Sequence, residues 1–288
     1  MVMTFRFRLV LSWVLSWVLL LVLANVCRAQ DDALMVGYFH QEDSRVVAPN
    51  NGGLLATVFQ DRLALPLGMR KTHTGYWFTG VHMQQTLITF HGSNVGERRL
   101  YRLALPIDYI HDPLGASDWK FTARLAPSHY SDERIWDHRA TDMDYALKAN
   151  YAKNSHVEWV LGVIADRRLG QARYYPTMGV QWQASSRWYH HWVFPDWRTE
   201  FQWRKATQLY AHMRPDGGQW RYGKYNNHLT MHYVNWSMGV GVRHKTRTPF
   251  TLQLELGQNL YRKLIYDQGT ISLNDSPYWQ VSIESRFE

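Results

Sequence analysis

Trp279-Gln280-Val281-Ser282-Ile283-Glu284-Ser285-Arg286-Phe287, the stretch before the final Glu288, changes character at almost every step. On an extended chain Trp279, Val281, Ile283 and Phe287 share one face, and Gln280, Ser282, Glu284 and Arg286 share the other, because successive strand side chains point to opposite faces. The same period recurs upstream. Phe250, Leu252, Leu254 and Leu256 alternate with Thr251, Gln253, Glu255 and Gly257. Val157, Trp159, Leu161 and Val163 oppose Glu158 and Asp166, while Tyr145, Leu147, Ala149 and Tyr151 oppose Lys148 and Asn150. Trp119, Phe121, Ala123 and Leu125 oppose Lys120, Thr122 and Arg124. Weaker alternation runs through 59–70, 76–90, 100–109, 172–183, 188–194, 199–204, 207–214 and 228–242. In the last of these the phase slips near Val234, which predicts a bulge or turn there. The reading is an all-β chain of about twelve strands, with ten to fourteen as its bounds, many near the nine to eleven residues that a tilted strand needs to cross a bilayer.

Composition narrows the class. The chain has 288 residues, a net charge of +8, 45% hydrophobic and 15% aromatic residues, and one cysteine. A charged fraction of 19% with 14 Trp and 17 Tyr excludes a disordered tail or a highly charged coiled coil. A single cysteine excludes an internal disulfide framework and any cysteine-based zinc or iron–sulfur site. A mean hydropathy of -0.40 argues against a bundle of membrane helices.

The N-terminus reads as an export signal, residues 1–29. Arg6 and Arg8 give the positive start, Leu9 to Val26 the apolar core, and Arg28-Ala29 the cleavage edge. An uncleaved anchor is the alternative reading of that long core. A lipoprotein would need Cys27 acylated, and the β-branched Val26 before it does not fit. Cleavage near Ala29 leaves a chain without cysteine and removes three of its positive charges with the leader. The remaining positive charge suits an anionic lipid or polysaccharide surface, and no basic run or RNA-binding signature points to nucleic acid.

The turns are polar, as at Asn50-Asn51-Gly52-Gly53, Pro215-Asp216-Gly217-Gly218 and Asn274-Asp275-Ser276-Pro277. Arg62-Leu63-Ala64-Leu65-Pro66 returns as Arg102-Leu103-Ala104-Leu105-Pro106, and each proline is expected near a strand end. No linker divides the chain. Residues 30–52 read as an N-terminal arm or plug and 53–288 as one domain.

Alternation alone serves a soluble sandwich or lipocalin-like binder as well as a membrane barrel. Two features favour a transmembrane antiparallel up-and-down β-barrel. Aromatic rings recur at the ends of the apolar stripes: Trp119, Tyr145, Tyr174, Trp182, Trp188, Trp192, Tyr233 and Trp279. Such rings favour the water–lipid boundary. The last strand, with Trp279, Val281, Ile283 and Phe287, also resembles the C-terminal insertion signal of outer-membrane barrels, although Glu288 follows the terminal aromatic.

A wider resemblance rests on Tyr174-Tyr175-Pro176-Thr177-Met178-Gly179-Val180, Ser186-Arg187-Trp188 and Phe194-Pro195-Asp196. It continues in Leu256-Gly257-Gln258-Asn259-Leu260-Tyr261-Arg262 and Asp275-Ser276-Pro277-Tyr278. These resemble a family of uncharacterised outer-membrane β-barrels of Gram-negative bacteria. The likeness covers roughly the C-terminal half, and it implies fold and location but carries no activity.

For chemistry, the 14 histidines come first. His190 and His191 point to opposite faces and cannot share an ion. His228 and His232 share a face, but four residues along a strand span about 13 Å, too far for co-ligation without a bulge. No cofactor or metal is expected. A lipid-modifying enzyme would draw on His228 or His232 with Ser237 and Glu255, yet no Gly-x-Ser-x-Gly elbow occurs. The inward set is Arg102, Lys120, Arg124, Lys148, Arg204, Arg214, Arg243 and Arg286 with Glu158, Asp166, Glu200, Glu255 and Glu284. It reads either as salt bridges that fill and stiffen the barrel or as a wet, net basic channel favouring anions. The expected function is a small pore or passive transporter in the outer membrane. Its expected partners are outer-membrane lipid, lipopolysaccharide and the barrel-insertion machinery. A plugged structural barrel and a lipid-modifying enzyme are the alternatives.

Overall fold

A computed structural model describes residues 35–43, 46–47, 55–91, 97–111, 118–132, 140–223, 229–246, 250–266 and 269–286. The expected export signal, Phe287 and His228 lie outside the described residues. In chain order the strands are β1 (Met35–Asp43), β2 (Val46–Val47), β3 (Leu55–Thr72), β4 (Gly75–His91), β5 (Glu97–Ala104) and β6 (Ile107–His111). β7 (Trp119–Asp132), β8 (Thr141–Asn154), β9 (Val157–Asp166), β10 (Arg173–Gln183), β11 (Trp188–Val193) and β12 (Asp196–Arg204) follow. β13 (Thr207–Pro215), β14 (Gly218–Tyr222), β15 (Leu229–Lys245), β16 (Phe250–Tyr266), β17 (Gly269–Ser272) and β18 (Ser276–Arg286) complete the sheet.

Sequential strands pair antiparallel, and β1 lies between β3 and β18, so the sheet closes on itself. Four staves are interrupted: β1 and β2 both line β3, β5 and β6 line β4, β13 and β14 line β15, and β17 and β18 line β16. The eighteen described strands therefore make fourteen staves around the ring. That exceeds the expected twelve while staying within its bounds. One stave that alternation did not reveal is β1, inside the segment read as an arm or plug; its backbone is part of the wall.

The faces are inverted relative to a soluble protein. Leu147, Trp159, Leu161, Val240, Leu254, Leu256 and Ile283 point outward and are exposed, whereas Gln253, Glu255, Gln280, Ser282 and Glu284 are buried inside. A closed ring satisfies every wall hydrogen bond internally, and an apolar exterior then belongs in lipid. Trp119, Tyr174, Trp188, Trp192 and Trp279 lie on this outer surface as expected. Tyr233 does not: it is buried inside the ring. The reason is that Met231, Tyr233, Asn235 and Ser237 keep one inward phase along β15 while the interior they face turns apolar toward the distal end. The register shift between Val234 and Trp236 puts its extra residue on β16, at Tyr261.

The repeated prolines flank one residue. Pro66 sits within β3 at a register shift and pairs with Gly80, whose amide also donates to the Pro106 carbonyl in the gap between β5 and β6. The proline of the first copy is thus at a bulge rather than at a strand end, where its missing N–H breaks the ladder.

The two ends of the barrel differ. At the proximal end, where β1 begins and β18 finishes, hairpins such as β3–β4, β8–β9 and β12–β13 close through two-residue turns. At the distal end β14 leaves the ring wall and makes a parallel bridge, Arg221 to Ser131 of β7. This contact closes a smaller ring of nine staves within the larger one. Its interior is apolar, with Val58, Ile88, Leu100, Tyr130, Trp220, Met231, Tyr233 and Leu264 packed together.

Candidate functional site

Below this apolar core the interior is polar, and its charges come in pairs. On the β13–β16–β18 wall Glu255 is the centre, its side chain fully buried. It accepts hydrogen bonds from the hydroxyls of Tyr210 and Tyr278, each at 2.8 Å, and His212 Nε2 lies 2.9 Å away. Arg214 is 3.7 Å off and also reaches Gln280 at 3.4 Å. The two tyrosines can lie along the wall because β15 and β16 present glycines beneath them. A Cβ on Gly241 would run into the Tyr210 ring, and one on Gly257 into that of Tyr278. Arg243 completes the wall, 3.4 Å from Gln253 and 3.8 Å from Glu284.

A second cluster forms where β7, β8 and the β9–β10 turn meet. Asp144 accepts from Arg102 at 3.1 Å, from Ser128 at 3.0 Å, from Arg167 at 2.9 Å, and from the Tyr130 hydroxyl. Arg167 also pairs with Asp142 and lies over the Tyr130 ring, 4.4 Å from its centroid. Burying an ion pair is tolerated only when further hydrogen bonds satisfy the remaining atoms, and Asp144 has them.

The third cluster is a latch. The turn 167–172 between β9 and β10 reaches across the distal end and docks on β14–β15. Gly217 N donates to the Arg168 carbonyl at 2.8 Å, Ala172 N to Gln219 Oε1 at 2.8 Å, and His232 Nδ1 to the Gly170 carbonyl at 2.9 Å. Gly170 adopts φ +86, and a Cβ there would strike Val234, so the close approach needs glycine. Arg168 anchors the turn to the wall, bonding Asp166 at 2.7 Å, Asp196 at 2.8 and 3.0 Å and the Tyr175 hydroxyl at 3.2 Å. Burial works against the Arg168 charge, but Asp196, then Asp166 and Tyr175, outweigh it and hold the guanidinium protonated well above its ordinary range.

The structure thus brings most of the sequence-derived lumen set inward, but mostly as pairs. Arg124 bonds Asp108 at 2.6 and 2.8 Å, Glu158 accepts from Asn150, and Glu200 accepts from Gln208 at 2.6 Å with Arg198 at 2.5 Å. Lys148 is half-buried on β8. Lys120 is exposed at the proximal end. Arg204 belongs elsewhere: it is exposed at the proximal rim with its guanidinium 5.1 Å from the Trp203 ring, because a register shift follows Gln202. Arg286 pairs through its backbone with Met35. Trp279, Val281 and Ile283 share the outer face of β18.

The expected enzyme group does not assemble as read. His232 is engaged by the latch, and Glu255 takes His212 instead. Sequence reading missed Arg62 with Asp216, Arg167, Arg168, Asp144, Asp196 and His212. Two of these sit in a turn, outside any alternation. Their one available signal was proximity to the quoted motifs: Tyr175 and Asp196 belong to the first set and bind Arg168, while Tyr278 of the second set binds Glu255.

A sequence profile of one family matches residues 37–277. The chain belongs to the family described as Domain of unknown function (DUF6268). The resemblance carried by the Tyr174–Val180 and Leu256–Arg262 motifs is borne out. No curated protein matches the chain in sequence. Among solved structures, it is similar to a TodX monoaromatic hydrocarbon channel mutant, with 10% identity and a TM-score of 0.51 over 89% of this chain and 90% of that one. It is also similar to an outer membrane channel from Pseudomonas putida F1, with 12% identity and a TM-score of 0.50 over 90% and 97%. At such identity the likeness is one of fold, that of an outer-membrane β-barrel.

Proposed function

We propose that this protein is a passive channel of the bacterial outer membrane, closed at rest by its own distal latch. The observation that carries the reading is the joining of three parts: an exposed apolar wall, a polar interior and a distal turn hydrogen-bonded across to β14–β15. Arg62, Arg102, Arg124, Arg167, Arg168, Arg198, Arg214 and Arg243 each contact a carboxylate. A lumen lined by such pairs selects less by net charge than by size and hydrogen bonding, so the net basic, anion-favouring channel loses its main support. The fold shared with outer-membrane channels supports the same class at the level of architecture.

Planar-bilayer conductance tests it. The wild-type barrel is expected to open rarely, and Arg168→Ala with Asp196→Ala, which frees the turn, to raise the open fraction at least about tenfold. A plugged structural barrel is the second reading, favoured by the apolar core within the nine-stave ring. It predicts silence from both proteins with normal folding, and that outcome would replace the channel.

A further inference from the structure

We propose that the proximal rim of the barrel is a docking surface for anionic phospholipid headgroups of the leaflet that meets it; this rests on the membrane reading above. The rim carries a crown of exposed cations spread over successive strand ends and turns: Lys71, Lys153, Arg187, Arg204, Lys205 and Lys245. Among the described residues of this rim, Asp118 is the exposed acid that opposes them. The distal end is different in kind. Its Arg62, Arg167 and Arg168 are consumed by Asp216, Asp142, Asp144, Asp166 and Asp196, and its exposed charges include the acids Glu97, Asp142 and Asp275.

The position of the crown identifies its occupant. Part of the crown lies beside outward aromatic rings, whereas Lys71 and Lys245 stand opposite Tyr76 and Thr251 on the inward face. The Arg204 guanidinium lies 5.1 Å from the ring centroid of the exposed Trp203. Arg70 stands opposite the exposed Trp77, and Lys153 follows the exposed Tyr151 by two residues. Outward Trp and Tyr settle at headgroup depth, so long basic side chains beside them reach the phosphate layer with their stems along the apolar wall. Each basic group near a negative surface adds attraction, and salt screens it over about 8 Å at physiological strength.

The test uses the full barrel in nanodiscs of mixed phosphatidylglycerol and phosphatidylcholine, with retained lipids counted by native mass spectrometry. Wild type is expected to retain phosphatidylglycerol over phosphatidylcholine at least about fivefold. Lys153→Gln, Arg187→Gln, Arg204→Gln and Lys205→Gln together, or about 0.5 M salt, should bring the ratio near one. Arg173→Gln, exposed at the distal end, should leave it unchanged. Free inorganic phosphate should not compete, because a single ion cannot span the crown. Equal retention in wild type, a preference that survives the fourfold variant, or phosphate or polyglutamate binding in place of the lipid preference would overturn the proposal. If the fourfold variant fails to fold, as judged by gel mobility before and after boiling, Arg187→Gln with Lys205→Gln in two separate turns reads the same ratio and should lower it by about half. Flotation with neutral phosphatidylcholine vesicles separates the two readings. A protein that does not float refutes the membrane barrel, and one that floats without lipid preference refutes only the crown.

Discussion

Glu255 shows what a single residue does in this wall. A fully buried carboxylate survives there because two tyrosine hydroxyls, His212 and Arg214 converge on it. Glu255→Ala would leave the arginine and histidine buried without that partner, and should lower stability by about 3–5 kcal/mol. Tyr210→Phe keeps the ring and removes one hydrogen bond to a charged acceptor, so about 1.5–3 kcal/mol is expected. Urea unfolding in detergent, followed by tryptophan fluorescence, gives both values; a larger loss for Tyr210→Phe than for Glu255→Ala would contradict this ordering. Gly241→Val tests the support from beneath. Its added side chain must displace the Tyr210 ring, and overpacking of this kind costs about 1–3 kcal/mol.

At the scale of elements, the latch is one turn held on two sides. Toward β14–β15 it uses the Arg168 and Gly170 carbonyls and the Ala172 N–H; toward β9, β10 and the start of β12 it uses the Arg168 guanidinium. The pH behaviour follows from the sign of the Arg168 shift. A basic group whose folded pKa is raised contributes fully below its unfolded value and loses that contribution only as pH rises through the folded one. The unfolded value of arginine already lies far above neutral pH. Closure should therefore persist unchanged from neutral pH to about pH 11. Conductance that rose steadily between about pH 8 and 10 would show that a group other than Arg168 holds the turn.

At the scale of the molecule, closure of the sheet is the main source of robustness. With β1 inserted between β3 and β18 the wall has no free edge, so local opening must break hydrogen bonds on both sides of a stave. The native protein should resist SDS and run at a shifted position until boiled. A deletion of residues 35–47 removes the closing stave and should abolish the shift, whereas removal of a mere arm or plug would leave it intact.

The alternation of Trp279 through Phe287, Phe250 through Gly257 and the like sufficed for an all-β barrel with an apolar exterior, because a strand's side-chain period is two whatever its neighbours are. It also placed Glu255 and Arg243 inside and Trp159 and Leu161 outside. The slip at Val234 was legible as a switch in which face of β15 is apolar, although the strand itself keeps its phase and the irregularity opposite it lies on β16. Three features were not legible. β1 carries no clean alternation, and its membership of the wall is a matter of pairing with strands distant in sequence. Arg168 and Gly170 lie in a turn, where periodicity says nothing about direction, so only the docked geometry reveals a latch. The pairing of the lumen charges was not legible for a related reason. Sequence counts inward arginines, but whether each meets a carboxylate depends on register across neighbouring and opposed staves, as between Arg62 and Asp216 or Arg102 and Asp144. Local pattern determines which face a side chain takes; only the closed sheet determines what it meets there.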